Sequence, residues 1–117
     1  MLANSKKTAL KLAQILEDKK AIDVLVLDIH SLTVIADYFV IASGSSENQV
    51  RALFEEVERK MEEKGFELLH RDGNQGNRWV VLDYGDIIVH IFHKDEREFY
   101  GLERLWADGV PLSVDNS

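Results

Sequence analysis

Cysteine is absent from the 117 residues, which excludes disulfides and thiolate chemistry and is compatible with a reducing compartment. No apolar run approaches the roughly 20 residues needed to cross a bilayer. The stretch Met1–Lys20 lacks the apolar centre of a signal peptide, because Lys6, Lys7 and Lys11 interrupt it. A cytoplasmic location is the expectation. Basic residues are in deficit: 14 Lys and Arg stand against 21 Asp and Glu, a net charge of −7. A domain of that sign does not draw its affinity from counter-ion release on nucleic acid, which requires a basic face. It suits a basic protein partner, toward which opposite fields speed encounter, although the same charge also serves solubility. What is plentiful is apolar material, 45% of the chain, enough for one core in one domain without staples.

The apolar residues fall into recognisable periods. Between Ser5 and Lys20, Ala9, Leu12, Ala13 and Leu16 follow the spacing of one helix face, flanked by Leu10 and Ile15. Asp23–Ile29 and Asp37–Ser43 are short continuous apolar runs, the pattern of strands covered on both faces by helices. After Gly44-Ser45-Ser46, Ser46 and Gln49 have the spacing of a capping box. Val50, Leu53, Phe54, Val57 and Met61 then mark a buried stripe that ends at Gly65. A short strand at Phe66–Leu69 and a polar loop at Arg71–Arg78 follow. Strands Trp79–Asp83 and Asp86–Phe92 join through Tyr84-Gly85 as a tight hairpin. A last helix from about Asp95 to Trp106 buries Phe99 and Leu102. These elements predict one α/β domain over residues 1–108, a mixed five-stranded sheet flanked by helices. Residues 109–117 carry no pattern and are expected to be disordered.

Several residues invite a chemical reading. A Gly44-Ser45 turn before a helix can hold a phosphate on free amides, but a nucleotidyltransferase also needs paired carboxylates to hold Mg²⁺. The next strand offers Glu67 alone, and no P-loop lysine follows the turn. Asp83 and Asp86 flank a turn, where Asp commonly bonds the backbone. His90 and His93 are three apart, and His30 and His70 each stand alone, so a zinc set lacks its remaining ligands. No catalytic, cofactor-binding or metal-binding residue is therefore assigned, and His90 reads as a hydrogen-bonded wall residue. The remaining cluster is aromatic: Trp79 begins a strand, Tyr84 tips the hairpin, and Tyr100 lies on the last helix among Glu96, Arg97 and Glu103. Aromatic anchors rimmed by charge are what interface hot spots use, while isolated rings are more often simply core.

Three stretches, Ile35–Gly44, Trp79–Phe92 and Arg97–Trp106, resemble the ribosomal silencing factor family, also called Iojap or YbeB. The likeness runs from about Thr8 to Asp108 in the expected order. It implies a nucleotidyltransferase-like α/β fold without a catalytic site, and a regulator of translation rather than an enzyme. It also implies binding to the large ribosomal subunit through its basic protein L-fourteen, with little direct nucleic-acid contact. Such a complex would block joining of the small subunit and repress translation under nutrient limitation; a part in large-subunit biogenesis is a related reading. Carried onto this chain, the binding surface comprises Trp79, Tyr84 and Tyr100, with Glu96, Arg97 and Glu103 at the rim. No cofactor is implied. Off the ribosome, an exposed aromatic patch could pair with itself in a homodimer. The rival reading is a small nucleotide-binding enzyme or nucleotidyltransferase using the Gly44-Ser45 turn.

Overall fold

The computed structural model describes residues 2–31, 34, 36–73, 78–95 and 110–112, with the side chains of 2–4 and 110–112 excepted. The described elements follow in the order α1 (Leu2–Asp18), β1 (Ile22–Asp28), β2 (Tyr38–Gly44), α2 (Glu47–Glu63), β3 (His70–Gly73), β4 (Trp79–Asp83), β5 (Ile87–His93) and β6 (Val110–Leu112). The strands form one sheet in the order β3-β4-β5-β2-β1-β6. Its central pair, β2 and β5, is parallel, and the other neighbours are antiparallel. A parallel pair needs a long crossover, and the chain supplies it with α2, β3 and β4. The mixed α/β architecture legible in the sequence is therefore the one that forms.

Two strands differ from the sequence expectation. The third was expected at Phe66–Leu69 but forms at His70–Gly73, exposed along its length. Its ladder with β4 pairs His70 with Asp83 through Gly73 with Val80. A polar edge strand gives no apolar signal, and charge at an edge guards it against further pairing. Phe66 and Leu69, the apolar residues that suggested the strand, are 43% and 59% exposed. The sixth strand, Val110–Leu112, falls in the segment expected to be disordered, and pairs with Val26–Asp28 of β1. Three residues are too few to show alternation, and Pro111, which has no N–H to donate, is tolerated at a sheet edge.

Alternation along the strands divides the core in two. One face carries Val26, Val40, Ala42, Val80, Leu82, Val89 and Ile91, packed against the apolar stripes of both α1 and α2. The stripe residues read from the sequence, Ala9, Leu12, Ala13 and Leu16 on α1 and Val50, Leu53, Phe54, Val57 and Met61 on α2, are all buried there. The other face carries a second cluster of Leu27, Ile29, Phe39, Ile41, Ile88 and Phe92. Both described helices thus lie on one face rather than one on each side. The last helix expected from the sequence lies, beyond Asp95, outside the described residues.

Candidate functional site

The ends of α2 explain the Gly44-Ser45-Ser46 turn without a ligand. Ser46 is extended at the N-cap, and its Oγ accepts the Gln49 N–H at 3.1 Å. The Gln49 side chain reaches back to the Ser45 N–H, one residue earlier than a regular capping box would have it. Gln49 Nε2 also donates to the Lys20 carbonyl at 3.0 Å, tying the start of α2 to the end of α1. Gly44 is required by packing: a Cβ there would sit 2.9 Å from both the Val50 nitrogen and its Cγ2. At the other end, Gly65 adopts φ +84, while the Gly65 and Phe66 amides donate to the Glu62 and Met61 carbonyls. That is a Schellman closure, as the sequence indicates.

The acidic and histidine candidates are also absorbed by the fold. Asp83 Oδ1 accepts the Gly85 N–H at 2.8 Å, closing the hairpin turn. Asp86 Oδ2 accepts the Ser5 hydroxyl at 3.1 Å, fastening the hairpin to α1. His90 and His93 both lie in β5, and side chains three apart on a strand project to opposite faces, so the two cannot share an ion. Among the described residues, no group of three or more His, Cys, Asp or Glu could hold a metal.

Trp79 and Tyr84, both expected in one aromatic surface, are separated by the sheet. Trp79 is half-buried against the second cluster. Its ring stacks on Phe92, its cross-strand neighbour, with centroids 5.0 Å apart and planes inclined by 21°. Its Nε1–H donates to His90 Nδ1 at 3.2 Å. Tyr84 packs instead against the helix-side cluster. Its hydroxyl is buried without a hydrogen-bond partner, and burial, with a smaller contribution from Glu58, pushes its pKa up to about 12. Glu96, Arg97, Tyr100 and Glu103 lie outside the described residues.

His90 and Phe92 are the supporting residues that spacing alone did not connect to Trp79. His90 is 6% exposed, and its ring meets Phe39 edge-on at 4.7 Å. Burial pushes its pKa down to about 4. The ring is therefore neutral near pH 7, and because Nδ1 accepts from the indole, the proton resides on Nε2. Nε2 is itself buried without a hydrogen-bond partner. The alternation of β5 could have shown that His90 and Phe92 share a face; the register to Trp79 required the structure. The result is a large amphipathic ring fixed in orientation at the margin of the sheet, an arrangement suited to partner recognition.

Comparison with known proteins places this geometry in a family. The family model described as "Ribosomal silencing factor during starvation" matches residues 2–117. The Bacillus subtilis ribosomal silencing factor RsfS is 41% identical over 112 residues, covering 95% of each chain. The chloroplastic Iojap protein of Zea mays is 32% identical over 106 residues, covering 91% of this chain and 46% of that one. A crystal structure from Chromobacterium violaceum superposes with a TM-score of 0.81 at 35% identity, covering 86% of this chain and 85% of that one. Another, from Bacillus halodurans, gives 0.79 at 39% identity and covers 92% and 98%. The Bacillus subtilis relative is named as a silencing factor, and among the described residues no helix is long and apolar enough to cross a membrane. On sequence and fold together, the chain belongs to the ribosomal silencing factor (RsfS) family.

Proposed function

We propose that the chain binds the large ribosomal subunit through its basic protein L-fourteen and keeps the small subunit from joining, repressing translation in the cytoplasm when nutrients are scarce. The observation that carries this reading, beyond family membership, is the Trp79 indole, half-buried and held by Phe92 and His90. A ring whose orientation is already fixed loses little entropy on binding. The net charge of −7 favours a basic protein over the surrounding RNA. Steric occupation needs no chemistry: a specific interface of about 1,200–2,000 Å² suffices, and bound factor and small subunit then compete by mass action for one surface.

Because Tyr84 packs on the opposite face, the proposed contact centres on Trp79, with Glu96, Arg97, Tyr100 and Glu103 as its further members and Tyr84 outside it. The same aromatic surface, left uncovered off the ribosome, is where a homodimer would form. The test is sedimentation of the purified protein with free large subunits. Wild type should travel with them, and Trp79→Ala, shown by circular dichroism to be folded, should remain at the top of the gradient. Equal co-sedimentation of the two would show that the contact lies elsewhere.

A further inference from the structure

Across the sheet from Trp79, α1, the end of α2 and the β4–β5 hairpin enclose a groove that the proposed ribosome contact does not use. Its wider part has a volume of about 430 Å³ and continues into a shallower part of about 200 Å³, a size typical of small-molecule sites. Lys7, Thr8, Met61 and Phe66 line both parts. Ser5, Tyr84 and Asp86 line only the wider part, and Lys11 and Lys64 only the shallower. The groove thus runs along α1 from Ser5 toward Lys11, a rise of roughly 9 Å.

Its chemistry changes along that length. In a chain of net charge −7, Lys11 and Lys64 line the shallower part, and Lys7, one helical turn before Lys11, lines both. Among the described residues, no acid forms an ion pair with any of the three. The middle is apolar: Phe66 is 43% exposed there, over the buried Met61. The far end carries the exposed Asp86, which uses Oδ2 to accept from Ser5. Ammonium groups, an exposed aromatic ring and a carboxylate therefore border one groove.

We propose that this groove binds a guanine nucleoside polyphosphate. Phosphates match the three ammonium groups, which are compact point charges suited to them. A purine supplies the flat apolar body that Phe66 would cover. Guanine presents two adjacent N–H donors on one edge, which a carboxylate such as Asp86 accepts together. The site is distinct from the Gly44-Ser45 turn, where the Ser45 amide is already bonded to Gln49. Binding here is non-covalent and independent of the ribosome contact.

The test is titration of the full chain with GTP and, separately, with inorganic triphosphate, followed by calorimetry and by amide chemical shifts. GTP should move the resonances of Thr8, Phe66 and Tyr84. Lys11→Glu and Lys64→Glu should each weaken it about tenfold or more, a change of ~1.4 kcal/mol. Asp86→Asn should weaken GTP and leave triphosphate unchanged, which separates base recognition from any loosening of the Ser5 contact. The inference is overturned if GTP does not bind, if triphosphate binds as tightly as GTP, if Asp86→Asn leaves GTP affinity intact, or if the shifts centre on Gly44–Gln49. None of these results bears on co-sedimentation with large subunits.

Discussion

The Trp79 indole N–H donates to His90 Nδ1 across 3.2 Å, joining the first residue of β4 to the middle of β5 on the face opposite α1 and α2. The same indole stacks on Phe92, two residues further along β5. One ring is thus fixed both by a face contact and by a directed hydrogen bond, and each contact can be removed separately.

Replacing Trp79 by Phe keeps an aromatic ring over Phe92 and deletes the donor. His90 Nδ1 is then left buried without its hydrogen bond, which costs about 1–2 kcal/mol. Urea unfolding should show that loss with an unchanged m-value. Trp79→Ala also removes the stacked area and should cost more, about 2–4 kcal/mol for a half-buried aromatic.

Acid should weaken the fold through His90. Its folded pKa lies near 4 against the usual 6.5, because burial opposes the charged ring. Between those two values the unfolded chain binds a proton that the folded chain does not, so stability present above pH 6.5 is lost as the pH falls toward 4. The loss from this residue is on the order of 3 kcal/mol. Stability measured from pH 7 to pH 4 should fall less steeply in His90→Gln, which keeps an acceptor for the indole and cannot titrate. Parallel curves for the two proteins would mean that other groups govern the acid limb.

The two glycines at the ends of α2 should fail for different reasons. At Gly65, φ is +84 and a Cβ would meet nothing within 4 Å. Gly65→Ala therefore carries only a conformational penalty, about 1 kcal/mol. At Gly44 the added Cβ would approach the Val50 nitrogen to 2.9 Å, so Gly44→Ala must push strand and helix apart and should cost more, about 1–3 kcal/mol. Thermal unfolding of the pair orders them: Gly44→Ala should melt lower than Gly65→Ala.

The helices and central strands were legible because they are amphipathic or wholly apolar over many residues. The stripe from Val50 to Met61, the Ser46 cap and the Gly65 stop each carry a local signal, and each appears in the structure. The edges of the sheet were not legible. β3 consists of His70, Arg71, Asp72 and Gly73 and takes its position from its ladder with β4, not from its own hydropathy. Val110–Leu112 is too short for a period and is defined by pairing with β1. The site shows the same division. Trp79 stands out in the sequence as an aromatic beside a hairpin, but its partner His90 is eleven residues away and reaches it only through the β4–β5 register. Tyr84 has the same aromatic character and is near Trp79 in sequence, yet strand alternation and the turn carry it to the helix side.

Silencing by subunit exclusion is tested most directly by light scattering during the joining of purified small and large ribosomal subunits, with the protein first incubated with the large subunits. The amplitude of joining should fall as the protein approaches stoichiometry, and Trp79→Ala should restore it. Undiminished joining at full occupancy of the large subunits, verified by sedimentation in the same buffer, would contradict it.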